Sequence, residues 1–561
     1  MTIKRFLFLR NDDVKSLDKQ FLAFFNLFLK MKVPVVYGVI PGEAGKEVFV
    51  FLRRMKKAYP GLIDIVQHGW KHIDYGVDKN HPKGEFGLGR DYQAQKRDIF
   101  LGWIKMRREL GDFFTPAFIP PYHSYDFTTL KIMNEAAALQ KFSAFSAKKK
   151  TFPKHKNFVD LPADVLFEAG KDPDSYPSQI IKKLALRFQK QPLTGMLLHH
   201  AEYSSRDLKI IEQVLHKLKS GNIIRMILFS EILKPCKRGR LNVTLAITNR
   251  CNLKCKICNI WKEKPERDLA FVKLKLFLTN LLKHYKVASI SLTGGELFLN
   301  KDIDKIFDFL CLLRTRNEIS SIGIFSNGFA NDTILDFLKR HKTKMDNCEL
   351  GLSCDGLEKT HDYLRGKKGS WQSIMKLVGI ITEQYRDIKL SIKFTISPGN
   401  IKDILAVYRY CRNRNIRFYP KFAESDSPYY YHKGHRIPEQ RLNFSHQESG
   451  DLIHILRFII KNELKSKSRI MDPNIPKILL NHLALGMKTQ KTCYTPLHNI
   501  FITASGDIHT CLYREPLANI HSPQWLQKLN NKKFFDQSDD SLNGRCPGCL
   551  AYHGYLKTVN M

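Results

Sequence analysis

The chain is poor in acidic side chains: 54 Asp and Glu stand against 91 Lys and Arg in 561 residues, a formal net charge of +37. That imbalance disfavours cationic partners and favours anionic ones, such as a phosphorylated or nucleotide-linked small molecule, nucleic acid or an acidic lipid surface. The basic residues are spread along the whole chain, without a tail or stripe, and no recognisable RNA-binding module accompanies them. Nucleic acid therefore ranks last among the anionic candidates. Long apolar runs are also missing. No window of 18 residues is free of charge, and the most apolar stretch, 21–40, is interrupted by Asn26, Lys30, Lys32 and Pro34, which argues against a membrane span. The N-terminus lacks a long apolar segment before Asn11-Asp12-Asp13, so an export signal is not expected. Twelve cysteines without such a signal point to a reducing, cytoplasmic compartment and to metal chemistry in place of disulfides.

With 43% apolar and 11% aromatic residues the chain has the composition of folded domains, and its length calls for about two to four of them. The fold class expected is α/β. Over 1–235, apolar strands alternate with amphipathic helices: strands at 5–10, 33–40, 62–68, 117–122, 142–147, 158–163 and 195–200, helices at 21–31, 46–58 and 206–218. Such alternation predicts a parallel (β/α) barrel or sheet with its chemistry at the carboxyl ends of the strands. A basic Pro- and Gly-containing run, 234–240, marks a boundary. From 241 to 425 the strand-then-helix unit recurs about six times, with strands at 241–248, 288–293, 321–326, 349–354, 390–397 and 418–422. Residues 426–490 read as a basic helical bridge with a Tyr run at 429–431, and 491–561 as a small cysteine-bearing C-terminal domain with a hairpin around Gly506-Asp507.

The most informative stretch is Cys251-Asn-Leu-Lys-Cys255-Lys-Ile-Cys258, on a loop leaving the strand at 241–248. Three thiolates at C-x3-C-x2-C fall one short of a structural zinc site, and one short of a 4Fe–4S cluster held only by protein. A cluster held by three cysteines keeps one iron open for a ligand. Unrelated cysteines, or a zinc knuckle borrowing a distant ligand, are the plainer readings of the spacing alone. Downstream, Thr293-Gly294-Gly295-Glu296 ends the second strand of this region, Ser326-Asn327-Gly328 the third, and Leu352-Ser353-Cys354-Asp355-Gly356 the fourth, followed by His361-Asp362-Tyr363-Leu364-Arg365-Gly366. Two glycines allow close backbone approach to a ligand, and a carboxylate beside them can hold an ammonium.

Together these motifs resemble the radical S-adenosylmethionine (SAM) enzymes, with Ile257 where an aromatic residue is usual. The resemblance implies a partial (β/α)6 barrel and a 4Fe–4S cluster on Cys251, Cys255 and Cys258. It also implies a SAM site in which Gly294, Gly295 and Glu296 meet the methionine amino group, Ser326 lines the site, and Ser353 and Arg365 meet the carboxylate. In that family an external electron donor supplies the electron that cleaves SAM, and the resulting radical abstracts hydrogen from a substrate.

The tail carries Cys493, Cys511 and Cys546-Pro-Gly-Cys549, four cysteines that by spacing suit zinc or a fully ligated cluster about equally. Behind such a barrel the pattern resembles the SPASM and twitch auxiliary-cluster domains. No cysteine follows Cys549, which implies the twitch form with one auxiliary 4Fe–4S cluster for electron transfer. Among the remaining cysteines, Cys354 stands at a strand end, where a thiol can return a hydrogen atom to a substrate radical; the others read as core residues.

In the first 235 residues the polar groups at strand ends are Asp12-Asp13, His68-Gly-Trp-Lys-His72, Pro120-Pro121-Tyr122-His123 and His199-His200. An Asp with two His can hold one divalent metal and leave coordination positions open. A second Asp can serve as general base. The order resembles the polysaccharide deacetylase (NodB-like) family, which implies Asp13, His68 and His72 as ligands of a metal, expected to be zinc, Asp12 as base and His199 as general acid. Two departures are Ile119, where the family usually has Arg, and Gly69, where it has Ser or Thr. The expected whole is a bifunctional enzyme acting on a carbohydrate, an N-acetylated or nucleotide-linked sugar, by deacetylation and by radical oxidation or epimerisation. The rivals are a peptide-modifying radical SAM maturase and a nucleic-acid modifying or binding protein.

Overall fold

A computed structural model of the chain describes residues 5–76, 83–139, 141–147, 158–220, 224–233, 240–263, 266–423, 443–485, 493–529, 532–543 and 545. The chain divides into two compact units, Met1–Gly239 and Arg240–Met561.

The first unit is built on nine strands: β1 (Arg5–Val14), β2 (Val35–Val39), β3 (Ile63–His68), β4 (Phe114–Ile119), β5 (Ala144–Phe145), β6 (Val159–Asp160), β7 (Ala163–Leu166), β8 (Leu193–Leu198) and β9 (Ile224–Met226). They run in the order β6-β5-β4-β3-β2-β1-β8-β7, with β9 added to the start of β1, and every pairing is parallel. β2 and β3 are buried along their whole length, as strands covered on both faces must be. The ends of the sheet meet: Leu161 N donates to Phe145 O and Ala163 N to Ala147 O, while Ala163 pairs with Gly195 of β8. The expected strand at 158–163 is thus two short strands that turn the corner at Pro162, which has no N–H to offer the ladder.

The surrounding helices follow local signals. Asp18 caps the helix Lys19–Lys30 by accepting from Phe21 N, and Phe21, Phe24, Phe25 and Phe28 recur on the buried face. Asp126 and Thr129 form a capping box at the start of Phe127–Ala138. The curled sheet encloses an apolar core that includes Phe8, Val36, Val66, Ile119 and Phe229, while on its outer face Tyr37 meets Phe21 and Phe25 of the helix Lys19–Lys30.

The second unit places β10 (Arg240–Ala246), β11 (Lys286–Thr293), β12 (Ser321–Ser326), β13 (Cys348–Ser353), β14 (Lys389–Ile396) and β15 (Arg417–Phe422) side by side in chain order, all parallel. Helices such as Phe271–His284, Ile303–Thr315 and Ile404–Asn413 connect them, which makes a curled α/β half-barrel. The tail strands β16 (Asn499–Ile502), β17 (Asp507–His509) and β18 (Ala518–Asn519) do not form a sheet of their own. β16 pairs in parallel with β10, and the antiparallel hairpin then widens the same nine-stranded sheet. The small separate C-terminal domain expected from the sequence is corrected to this extent. Its apolar strand Asn499-Ile-Phe-Ile502 satisfies its backbone on the open edge of β10.

At the opposite edge, Phe418 N donates to Ile470 O, so β15 is covered. The helix His446–Lys465 is anchored there through buried Glu463, which accepts from Tyr408 Oη at 2.8 Å, Arg412 at 3.1 Å and Ile470 N at 3.1 Å. The Tyr run at 429–431 lies outside the described residues. Among the described residues no helix is long and apolar enough to cross a membrane.

Candidate functional site

Parallel strands put all their carboxyl ends on one side of a sheet, and both units carry their reactive side chains there. In the first unit β1 runs past the expected boundary at Arg10, so that Asp12 and Asp13 belong to the strand. Asp13 adopts a left-handed backbone (φ 65°), which swings its carboxylate out of the strand alternation. Its Oδ1 lies 3.1 Å from His68 Nε2 and 3.0 Å from His72 Nε2. Ligand atoms of the three residues lie within 4.8 Å of one another. His68 ends β3, while His72 sits on the loop beyond it, again with positive φ (56°). The loop is held by Glu85, a buried carboxylate that accepts from Trp70 N at 3.0 Å and Lys71 N at 2.7 Å. Tyr122 packs its ring on His72 with centroids 4.4 Å apart and donates to His72 O at 3.0 Å.

Two imidazoles and a carboxylate converging on one point are a donor set suited to a borderline divalent cation such as zinc. Burial by itself would raise the Asp13 pKa. The imidazoles of His68 and His72 outweigh it and hold the carboxyl well below the ordinary range. Asp12 is buried beside them. Burial again opposes its ionisation, and Arg10, with His68 and His199, reverses the balance and lowers its pKa. Arg10 is fully buried, donates to Asp12 Oδ2 at 2.8 Å, and is itself fixed by Ser146 O at 2.9 Å and Ser146 Oγ at 2.7 Å. Asp12 Oδ1 makes no hydrogen bond. The buried charge beside Asp12 thus comes from Arg10, on the same face of β1, while Ile119 belongs to the apolar core. His199, just past β8, has its Nε2 3.9 Å from Asp13 Oδ2; its neighbour His200 turns inward, Nδ1 to Asn11 and ring against Phe21. Arg10 was readable as the i−2 partner of Asp12 on a strand. Glu85 carries no local signal, because only the fold brings it under residues 70 and 71.

In the second unit the cysteine loop leaves β10 and is pinned on both sides. Gly295 N donates to Thr248 O at 2.9 Å, Glu296 N to Arg250 O at 2.8 Å, and Lys256 N to Leu364 O at 2.7 Å. A Cβ on Gly294 would stand 2.2 Å from Thr248 O, and one on Gly295 2.1 Å from Arg250 O. The cluster-loop backbone thus approaches both glycines too closely for a side chain, a need separate from the ligand contact that the sequence suggested. Cys251, Cys255 and Cys258 act on one another electrostatically. Burial raises all three thiols, Cys251 to about 12 and Cys258 to about 11. Buried thiols this reluctant to ionise fit a site where a metal cluster supplies the compensating charge. Trp261 Nε1 donates to Cys258 O at 2.9 Å, and Asn327 Nδ2 reaches Asn252 Oδ1 at 2.7 Å and Cys251 Sγ at 3.9 Å.

Glu296 is fully buried. Burial raises its pKa to about 7 against the opposing pull of its donors, Asn327 N at 2.8 Å and Ser326 Oγ at 2.9 Å. Ser326 thus orients Glu296. Ser353 ends β13, half-buried. Arg365 lies 2.6 Å from Asp355 Oδ2 and 3.9 Å from Cys255 Sγ, so in this structure its charge is engaged by protein groups. Cys354 is buried with its thiol on Gly356 O at 3.4 Å; Asp355, Arg365 and Asp403 act on it, and it acts in turn on Cys411 of the helix Ile404–Asn413. That position beneath the strand end does not suit hydrogen return to a substrate. In the tail, Cys493 N donates to Ser541 O and Tyr513 N to Cys511 Sγ. Cys546 and Cys549 lie outside the described residues.

Residues 245–417 match the family model of the Radical SAM superfamily. The central unit carries a radical SAM domain. The cofactors of that superfamily, SAM and a 4Fe–4S cluster, are the ones its buried three-cysteine loop fits. Among curated proteins this radical SAM region is similar to the sporulation killing factor maturation protein SkfB of Bacillus subtilis, 29% identical over 31% of this chain and 40% of the relative. It is also similar to the antilisterial bacteriocin subtilosin biosynthesis protein AlbA of the same organism, 29% identical over 26% of this chain and 31% of the relative. The chain thus spans well under half the length of these relatives. Among solved structures, a family 4 acetyl xylan esterase from Clostridium thermocellum bound to cobalt aligns with 41% of this chain and 90% of its own, at 14% identity and a TM-score of 0.29.

Proposed function

We propose that the chain is a two-headed enzyme: a radical SAM head that abstracts hydrogen from a peptide, and a metal-dependent hydrolytic head that removes an acyl group from nitrogen. The observation that carries the hydrolytic head is the convergence of Asp13, His68 and His72 beside the Arg10–Asp12 pair. A divalent ion held by the three would polarise an amide carbonyl and activate water. Arg10 keeps Asp12 ionised and occupies its Oδ2, which leaves Oδ1 to accept a proton. His199 holds a proton at Nε2, on the other side of Asp13, for the departing amine. Tyr122 and Glu85 keep the loop of His72 in place.

In the radical head, Cys251, Cys255 and Cys258 would hold a 4Fe–4S cluster, which with SAM supplies a hydrogen-abstracting radical. Glu296, oriented by Ser326 and Asn327, would accept the SAM ammonium, and Arg365, which also pairs with Asp355, and Ser353 would hold its carboxylate. An external donor would provide the electron, and Cys493, Cys511, Cys546 and Cys549 would hold an auxiliary cluster, whose chemistry is electron transfer. The names of SkfB and AlbA support a peptide as the substrate of this head, in place of the carbohydrate favoured by the sequence alone.

An N-acetylated sugar as the shared substrate is the second reading, favoured by the N-terminal donor set and its place at the strand ends. The test is 5′-deoxyadenosine formation by anaerobically reconstituted full-length protein, given SAM and a reductant, against separate pools of peptides, amino-sugar nucleotides and bulk tRNA. A rise with peptides alone supports the proposal. A rise with sugars alone replaces the peptide by the carbohydrate, and a rise with tRNA alone overturns both.

A further inference from the structure

Asp355 stands two residues beyond β13 and is fully buried. Its backbone and one carboxylate oxygen are tied to three neighbouring segments. Asp355 N donates to Nδ1 of His361, on the helix Glu358–Arg365, at 3.1 Å. Asn400 Nδ2 donates to Asp355 O at 2.9 Å and to Thr395 O at 2.8 Å. Thr395 N, near the end of β14, donates to Asp355 Oδ1 at 2.8 Å. His361 accepts as a neutral imidazole: it is buried, and burial, joined by the charge of Arg365, lowers its pKa to about 3.

The second oxygen, Oδ2, makes no hydrogen bond to these groups and faces Arg365 Nη2 at 2.6 Å as an ion pair. Arg365 is the last residue of the helix Glu358–Arg365, and that helix end is pressed on the cysteine loop. Lys256 N donates to Leu364 O at 2.7 Å, and a Cβ on Gly366 would collide with Lys254 O. With Nη2 on Asp355, Arg365 brings Nη1 to 3.9 Å from Cys255 Sγ, while its Nε is buried without a hydrogen bond. Burial raises the Cys255 thiol; the Arg365 guanidinium opposes that rise, and does so more strongly than Asp355 adds to it. The same guanidinium acts on buried Glu296. A carboxylate fixed through its backbone and one oxygen, with the other oxygen on a guanidinium, is a strut. It holds a long side chain in one orientation before a ligand arrives, which lowers the entropy lost on binding.

We propose that Asp355 is a positioning residue of the radical SAM centre: it holds Arg365 so that one guanidinium serves both the cluster cysteine Cys255 and the SAM carboxylate. The proposal rests on the radical SAM reading of this unit and adds the residue that sets the clamp. A fixed cation beside a cluster thiolate favours the reduced, more negative cluster and so raises its reduction potential. A bare anion in the same place lowers it.

The test uses full-length protein reconstituted with iron and sulfide. It reads SAM affinity by equilibrium dialysis with radiolabelled SAM, and the midpoint potential of the three-cysteine cluster from the EPR signal that Cys255→Ala removes. Asp355→Asn should weaken SAM binding by about tenfold or more and lower the potential, as Arg365→Gln does, because the released guanidinium leaves Cys255. A mere counter-charge would act in the opposite sense, so a higher potential or tighter SAM binding in Asp355→Asn overturns the proposal. The double variant Asp355→Asn with Arg365→Gln should bind SAM as Arg365→Gln alone does; additive losses would mean that Asp355 acts by another route. Arg365→Lys keeps the charge without the fork that spans Asp355 and Cys255, and should also weaken SAM binding and lower the potential. If Asp355→Asn fails to fold or loses its iron, Arg365→Lys decides: wild-type affinity and potential in that variant overturn the proposal. Wild-type protein that assembles the cluster and binds no SAM would remove the radical SAM reading, and the proposal with it. SAM binding that ignores Asp355→Asn would remove the proposal alone.

Discussion

The two units solve one problem in different ways. Each gathers side chains of metal-ligand type at the carboxyl ends of parallel strands. The radical SAM unit draws its donors from one eight-residue loop, Cys251 to Cys258, while the N-terminal unit draws Asp13 from β1, His68 and His72 from β3 and the loop beyond it, and His199 from the end of β8. The contiguous site uses soft thiolates whose burial must be relieved by a cluster, and neighbouring strands only pin the loop. The distributed site uses imidazole and carboxylate, and the barrel itself sets its geometry. A loop site tolerates shifts between strands; a site shared among strands does not.

That contrast can be broken most sharply at the cysteines. Cys255→Ala should remove the part of the visible absorbance and iron content that belongs to the three-cysteine loop, leaving that of the auxiliary cluster, abolish all SAM cleavage, and leave metal binding by the N-terminal unit intact, as metal analysis after dialysis would read. Loss of both would mean the two sites are not independent. Next in size, Asp13→Ala or His72→Ala should weaken zinc or cobalt binding by about a hundredfold or more, with the iron content unchanged. Retained affinity would remove those residues from the ligand set.

Arg10→Met should cost about 3 kcal/mol in stability, read by denaturant unfolding, because it leaves the Asp12 carboxylate buried without its cation. The double variant Arg10→Met with Asp12→Leu should recover much of that loss, and a failure to recover would point to packing of Arg10 instead of charge. In the radical SAM unit the corresponding buried carboxylate, Glu296, has no cation at hydrogen-bond distance among the described residues, and burial raises its pKa from an ordinary 4.5 to about 7. The folded state therefore binds this proton more tightly than the unfolded one. Its contribution to stability is full below about pH 4.5 and is lost as pH rises towards 7, at up to about 1.4 kcal/mol per pH unit. Glu296→Gln should flatten that slope in cluster-free protein, and an unchanged slope would assign the pH dependence elsewhere. The smallest effect expected is that of Glu85→Gln, about tenfold in N-terminal metal affinity with little change in stability, because it loosens the loop of His72 without touching the metal.

Much of this was legible in the chain. Strand–helix alternation gave the two parallel α/β units, and several elements keep the bounds that the pattern suggested, among them Ser321–Ser326 and Lys46–Ala58. The misreadings are instructive. Phe158–Ala163 read as one strand, yet Pro162 splits it between two. The tail hairpin read as an independent domain because a sequence does not show that the edge of β10 lacks a neighbour.

By itself the sequence determined the ligand types, the contiguous cysteine loop and the order of the strands, because spacing and polarity are local and covalent. Only the tertiary structure decided that Ser146 fixes Arg10, that Glu85 lies beneath the His72 loop, and that Lys393 lies between Phe325 and Tyr419. Each of these depends on the register between strands far apart in the chain. Register is fixed by packing the whole sheet, and a shift of one residue would turn each of these side chains to the other face.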